Sequence, residues 1–368
     1  MTWIFYKRSG KSTQIPQYLA DDLLALKLSK TLQTNEKHNF VRVCCSQPRR
    51  LAAQRIAERV SSEYISDIGD LVGYRVGRRG SSTEESQKVS RNTRIEFVTE
   101  GWLIYSLMKS QNLLQNYDCI IVDEAHERNL ETDLLLCLLK RYSIQNENKK
   151  IKVVVMSATI DPKLFSDYFN GCPVIDCPGK QYPVDEFFRP ISGGEVCDED
   201  PIVSKAVDVI FEISNNYGLD HNFEAGDCLI FLSGARQIIN CVQKINSMSK
   251  NKKKPYIVAY PLYAEMPENE KDAATNPEHR TGLDKKTDGK HKLSRKIICC
   301  TNIAETSLTI GNIRFVIESG FAKKIGYDVI TKSKTLKEEA ISIASVNQRR
   351  GRAGRYVFNE ISHCRLCY

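Results

Sequence analysis

Three short clusters carry side chains suited to one chemistry, the handling of phosphate. Ser9-Gly10-Lys11-Ser12-Thr13 ends like the phosphate-loop consensus and runs into an amphipathic segment bearing Ile15, Leu19, Leu23 and Leu24. In such a loop, backbone N–H groups and a helix N-terminus converge on phosphate oxygens, the lysine reaches the outer phosphates and the hydroxyl ligates magnesium. Alone, the run is equally a helix start that contains GKS. Cys119-Ile120-Ile121-Val122-Asp123-Glu124-Ala125-His126 is an apolar strand ending in two carboxylates. Such an Asp holds a magnesium shell and the adjacent Glu activates a water for attack on a terminal phosphate, although a solvated strand end has the same composition. Gln348-Arg349-Arg350-Gly351-Arg352-Ala353-Gly354-Arg355 places four arginines in eight residues, too polar for a core helix. It reads either as arginine fingers that neutralise a transferred phosphoryl group or as a basic nucleic-acid patch. Each cluster is weak alone; together they point to a polyanionic partner.

Elements that could position these clusters follow from the pattern of apolar residues. Short β-branched runs alternate with longer segments of helical period, which predicts an α/β fold with parallel sheets. Strands are expected at Val41 to Cys45, Ile95 to Val98, Cys119 to Val122 and Val153 to Met156, with a helix from Pro48 to Ser62 carrying Ala52, Ile56 and Val60 inward. A turn-rich stretch, Cys177 to Pro183, breaks the pattern. A second series follows near Cys228 to Leu232, Ile257 to Tyr260, Ile297 to Thr301 and Arg314 to Glu318, so two tandem domains are expected, residues 1–179 and 180–368. Lys271 to Lys296, poor in apolar residues, is expected to be a solvated loop.

Composition narrows the setting. The 368 residues, 41% hydrophobic and 27% charged, suit two folded domains. No apolar run is long enough for a membrane span, and the opening MTWIFYKR is too short for a signal segment. An odd 13 cysteines, several adjacent within strand-like runs, read as reduced thiols of an intracellular protein, and His363-Cys364-x-x-Cys367 reads as strand residues ahead of a zinc site. The net charge of +8 permits a polyanion without requiring one.

The ordered runs SGKSTQ, SQPRRLAAQRIAERV, TEG, DEAHER, SAT, LIFLSG, PLYAEMP, TNIAETSLTI and QRRGRAGR span nearly the whole chain. In them the sequence resembles the DEAH-box family of superfamily 2 RNA helicases. The resemblance implies two RecA-like domains of the P-loop NTPase fold, ATP or another NTP with Mg2+ bound between them, and RNA across their tops. It implies that Gly10, Lys11, Ser12 and Thr13 hold the phosphates, that Ser12 and Asp123, with Glu124 beside them, surround the magnesium, and that Arg59 stacks on the base or is simply an exposed helix charge. Glu124 is then the general base, Gln348 positions the water, and Arg352 and Arg355 are the arginine fingers. His126, Ser157 and Thr159 couple hydrolysis to movement, while Arg49, Arg50, Thr99, Ser233, Gly234 and Thr301 contact the RNA backbone. Such contacts grip phosphate and sugar, so binding of single-stranded RNA without sequence preference is implied. Protein activators or ribonucleoprotein complexes are further candidate partners, in nucleus or cytoplasm. Between TNIAETSLTI and QRRGRAGR the family has a β-hairpin that helps to part duplexes; Gly320 to Tyr327 and Thr331 to Leu336 form either that hairpin or an ordinary sheet edge.

The chain also departs from the family. Phe5 falls at the first loop glycine, Arg8 at a middle glycine and Lys7 at a threonine; a bulky residue forced into such a backbone costs about 1 to 3 kcal/mol, so weakened nucleotide binding is expected. Thr275 stands near a usual aromatic, and Glu318 replaces a usual Asp. The chain is expected to lack a full strand before the loop and the winged-helix, ratchet and oligonucleotide-binding domains that follow in the family. Two readings stand: an NTP-dependent helicase moving 3′ to 5′ on RNA, and a truncated or degenerate core that binds RNA or partner proteins with little hydrolysis.

Overall fold

Near-continuous apolar runs become buried parallel strands because helices cover both faces of each sheet. The computed structural model describes residues 2–6, 10–34, 40–77, 86–110, 113–145, 151–157, 162–176, 182–190, 200–216, 226–251, 257–276, 295–305, 310–328, 330, 332–355 and 362–366. Two compact units result, Met1–Lys180 and Gln181–Tyr368, each with its own sheet.

Among the described residues of the first unit eight strands, β1 (Thr2–Tyr6), β2 (Val43–Gln47), β3 (Val72–Arg75), β4 (Gln87–Lys88), β5 (Ile95–Thr99), β6 (Cys119–Val122), β7 (Lys152–Ser157) and β8 (Val174–Asp176), lie in the order β4-β3-β5-β2-β6-β7-β1-β8. All pairings are parallel except β3 with β4. Alternation along the strands feeds two cores. Cys45, Ile121 and Val154 pack with Leu19 and Leu23 of the Lys11–Thr34 helix and Ala53 and Val60 of the Arg50–Glu63 helix. Cys44, Ile120 and Val153 face the other way, onto Leu103, Leu135 and Phe165 of three further helices.

Two expectations are corrected here. A strand does precede the phosphate loop: β1, TWIFY, pairs with β7 through Thr2 to Tyr6, since aromatic and β-branched residues favour extended backbone. Phe5 lies within it, opposite Met156, and is not among the residues with positive φ, so the strain cost argued for Phe5 does not arise; Lys7 and Arg8 lie outside the described residues. The Arg50–Glu63 helix starts later than Pro48, because Arg49 is still extended (φ −127°, ψ 140°).

The second unit holds β9 (Val184–Phe188), β10 (Asp227–Phe231), β11 (Ile257–Leu262), β12 (Arg295–Cys300), β13 (Ile313–Glu318) and β16 (Ser362–Leu366), all parallel, in the order β11-β12-β10-β13-β16-β9. The Pro201–Asn216 and Ala235–Asn251 helices pack Val207, Ile210, Ile238 and Ile245 on this sheet. β14 (Phe321–Asp328) and β15 (Ser333–Ala340) form a separate antiparallel two-stranded sheet, so the segment is a hairpin and not an edge of the main sheet. The expected solvated loop from Lys271 to Lys296 is ordered at both ends. Its start lies in the Glu268–Thr275 helix, and its end is β12, where Lys296 is buried because its ammonium donates to the carbonyls of Ala273 and Asn276, each at 2.7 Å. Residues 277–294 lie outside the described residues, as do 177–181 of the turn-rich stretch.

Gly226, just before β10, has φ +61°, and a Cβ there would sit 2.4 Å from Cβ of Arg314. The left-handed backbone and the overlap together set a cost of about 2 to 4 kcal/mol for Gly226→Ala. Urea unfolding followed by circular dichroism should register that loss; a change under about 0.5 kcal/mol would contradict the packing described.

Candidate functional site

In parallel α/β sheets, ligands sit beyond the carboxyl ends of the strands. At that edge of the first unit, adjacent strands deliver the residues that sequence singled out. The loop after β1 enters the helix at Gly10, whose φ of +71° needs glycine and whose carbonyl accepts from Gln14 N at 2.9 Å and Thr13 Oγ1 at 3.0 Å. Ser12 and Thr13 therefore lie on the first helical turn. Lys11 is 8% exposed and its ammonium donates to the carbonyl of Ser157, the last residue of β7. Thr159 lies outside the described residues.

Asp123 follows β6 and is buried. Both of its oxygens are held: Oδ2 accepts from Gln47 Nε2 at 2.8 Å and Oδ1 from the backbone N–H of Glu124 at 2.8 Å. Glu124 adopts a left-handed conformation (φ 51°, ψ 34°), and so does Arg128, which brackets the short Ala125–Glu127 turn. Such non-glycine geometry costs about 1 to 2 kcal/mol per residue and is a mark of functional turns. His126 Nδ1 lies 3.4 Å from Glu124 Oε2, an ion pair when the imidazole is protonated. Hard oxygen donors, the Ser12 hydroxyl and the Asp123 carboxylate, suit magnesium.

Arg59 is exposed and pairs with Glu63 at 2.7 Å on its own helix. Glu63 also accepts from Gln14 and Gln17, tying the phosphate-loop helix to Arg50–Glu63. Burial pushes Glu63 up, but the hydrogen bonds of Gln17 and Arg59 outweigh it and hold the carboxyl below its ordinary value. Arg49 pairs with Glu127 at 3.4 Å and Arg50 opens the helix. Thr99 ends β5, and its hydroxyl accepts from Gly77 N at 3.3 Å.

In the second unit Ser233 and Gly234 follow β10, and Thr301 follows β12, again at carboxyl ends. Ser233 donates through N and Oγ to Gln237 Oε1, at 3.1 and 2.8 Å, and the Lys323 side chain lies over Gly234. Thr275 ends the Glu268–Thr275 helix and donates its hydroxyl to Lys271 O. The polarity of the arginine cluster suggests no core role, yet part of it is buried, with acids pairing Arg349 and Arg350. Gln348, Arg349 and Arg352 are buried; Arg349 binds Glu305 and Glu318, Arg350 pairs with Glu186, and Arg352 donates to the carbonyl of Glu305. Arg355 ends the short Ala353–Arg355 turn.

Sequence reasoning passed over Gln47, inside SQPRR, and Glu100, inside TEG. A buried polar residue at a strand's carboxyl end, beside residues already singled out, is the signal both carry. Gln47→Ala leaves Asp123 Oδ2 without its donor and should weaken magnesium-dependent nucleotide binding about tenfold, the worth of one charge-assisted hydrogen bond. Calorimetric titration with and without magnesium reads this, and an unchanged affinity would refute it.

Glu100 is 1% exposed and accepts from Thr132 Oγ1 at 2.8 and 3.0 Å. Burial raises its pKa to about 7 from 4.5, the Thr132 hydrogen bond opposes this, and Glu127, Glu131 and Asp123 add to the rise. A carboxyl with a raised folded pKa stabilises the fold relative to its ionised form at low pH, and that contribution is lost as pH climbs from about 4.5 through 7. Glu100→Gln should therefore gain up to about 3 kcal/mol over the parent at pH 8 and almost nothing at pH 4.5. Parallel melts at the two pH values that gave equal differences would contradict the assignment.

A family model described as "DEAD/DEAH box helicase" matches residues 9–166, and one described as "Helicase conserved C-terminal domain" matches residues 210–357. The chain is 35% identical over 347 residues to the ATP-dependent RNA helicase HrpA of Escherichia coli, covering 94% of this chain and 23% of that protein. It is 38% identical over 355 residues to the probable ATP-dependent RNA helicase DHX34 of mouse, covering 94% of this chain and 27% of that one. It thus spans about a quarter of the length of these relatives. Among solved structures, the DEAH/RHA helicase HrpB of Escherichia coli superposes with a TM-score of 0.73 at 28% identity, covering 99% of this chain and 40% of that one. With two RecA-like sheets and both helicase family models matched along them, the chain belongs to the DEAH-box family of superfamily 2 helicases.

Proposed function

We propose that this chain is the nucleotide-hydrolysing core of an RNA helicase that uses ATP or another NTP with Mg2+ to translocate 3′ to 5′ on single-stranded RNA, unwinding duplexes or remodelling RNA–protein complexes. What carries the reading is one arrangement at the carboxyl edge of the first sheet: Lys11 anchored on Ser157, and Asp123 gripped by Gln47 beside the strained Glu124. Magnesium, when bound, neutralises phosphate charge and draws electrons from the bond to be broken. Gly10, Lys11, Ser12 and Thr13 cradle the phosphates, Ser12 and Asp123 hold the metal with Glu124 beside it, and Glu124 takes the proton of the attacking water. Gln348 orients that water, Arg352 and Arg355 offset the developing charge, and Arg59 faces the base. His126, Ser157 and Thr159 transmit the change; the 3.4 Å contact of His126 with Glu124 supports that role for His126. Arg49, Arg50, Thr99, Ser233, Gly234 and Thr301 grip the RNA backbone, which supports binding without sequence preference. The unit of residues 1–179 is the proposed ATP-binding helicase domain and that of 180–368 the C-terminal one. Burial pushes the thiols of Cys44, Cys45, Cys228 and Cys300 up, in keeping with inert thiols of a protein working in nucleus or cytoplasm.

Lys7 and Arg8, standing in the loop in place of small residues, favour a second reading, a degenerate core that binds RNA or partner proteins with little hydrolysis. ATP turnover with and without single-stranded RNA separates the two. The helicase reading expects RNA-stimulated turnover that Glu124→Gln lowers by about 100-fold or more. RNA binding with no turnover above that variant would leave only the second reading.

A further inference from the structure

The buried acids beneath the arginine cluster assign a role to Arg349 that the phosphate-clamp reading does not. Where Arg352 meets a backbone carbonyl, Arg349, 2% exposed, has its Nε and Nη1 taken up by two carboxylates. Its Nη1 donates to both oxygens of Glu318, at 2.9 and 3.0 Å, its Nε donates to Glu305 Oε2 at 2.9 Å, and its guanidinium lies 4.7 Å from the centre of the Phe231 ring. Glu318 is fixed in turn, because Oε1 also accepts from Gly320 N at 2.9 Å. The other end of the chain of contacts is Glu305. It closes the Asn302–Ala304 turn, with its own N–H on Asn302 O at 3.0 Å, and its backbone carbonyl accepts from both Nε and Nη2 of Arg352. One residue thus presents its carboxylate to Arg349 and its carbonyl to Arg352. Two acids and two arginines close the local charge to zero, which is what a buried ionic group requires. Only a planar fork reaches both acids at once; a lysine is a point charge and does not.

We propose that Arg349 is a positioning residue for nucleotide hydrolysis: anchored on Glu318, it fixes Glu305, and Glu305 through its carbonyl holds the Arg352 guanidinium ready for phosphate. The proposal rests on the reading of Arg352 as an arginine finger. The geometry it describes, however, can be tested without turnover.

Nitrogen-15 NMR of arginine side chains in the whole chain, with the Arg352 Nε–H signal assigned by Arg352→Lys, reads the held guanidinium directly. Arg349→Lys and Glu305→Gln are expected to shift that signal and speed its hydrogen exchange about tenfold, while the second substitution leaves the Glu318–Arg349 pair in place should the first fail to fold. An Arg352 signal unmoved in a folded variant overturns the proposal. Kinetics give the second arm. Glu305→Gln should lower kcat about tenfold with the Kd for a non-hydrolysable ATP analogue within about threefold, and should add nothing to Arg352→Ala, because both act on one guanidinium. A purely structural role would give losses that multiply. If the parent chain itself shows no turnover, the helicase reading fails while the Arg352 signal still decides this proposal.

Discussion

The buried carboxylate of Asp123 is the charge around which the carboxyl edge of the first sheet is built. A charge at that depth is tolerable only with hydrogen bonds to it, and the chain supplies two, from the Gln47 side chain and from the Glu124 backbone. Each donor requires a piece of architecture. Gln47 must end a strand adjacent to β6, and the parallel pairing of Val43–Gln47 with Cys119–Val122 provides it. Glu124 must turn its N–H back on its neighbour, and the left-handed backbone at that residue does so at a cost that the sheet beneath absorbs. Lys11 is fixed by the same logic from β7, so three neighbouring strands position these groups along one edge.

The second unit answers the same electrostatic problem with whole ion pairs. Glu318 at the end of β13 lies in a dry environment that raises its pKa, and Arg349 opposes the rise by direct contact. Because Arg349 is paired with both Glu318 and Glu305, it can sit against the sheet instead of spreading into solvent, and the neighbouring turn that carries Thr301 and Glu305 is held onto it. Lys296, by contrast, places its ammonium on the terminal carbonyls of a helix, 4.9 Å from the Tyr260 ring.

These buried charges also mark where sequence reading stops. Apolar alternation is local, so strands such as Cys119–Val122 and Ile313–Glu318 were legible to within a residue. The helix opening at Lys11 and the strand ending at the DEAH run were legible too, as short contiguous runs. Thr2–Tyr6 was missed because five residues at a chain start show no period, and Val72–Arg75 because Gly73 interrupts its apolar run. Arg295 and Lys296 read as solvated charges and Arg349 as part of a phosphate-binding cluster, since the groups that hold them, Gly226 O, Ala273 O and Glu318, lie far away in sequence. Gln47 was hidden for the same reason, its partner standing 76 residues on.

Binding of a fluorescent ADP analogue to the whole chain, titrated with and without magnesium and beside Lys11→Ala, tests the central claim, that one edge of the first sheet is a magnesium-nucleotide site. The account predicts binding that weakens at least about tenfold when magnesium is withheld and again when Lys11 is removed. Binding that is absent, or indifferent to both the metal and Lys11, would contradict it.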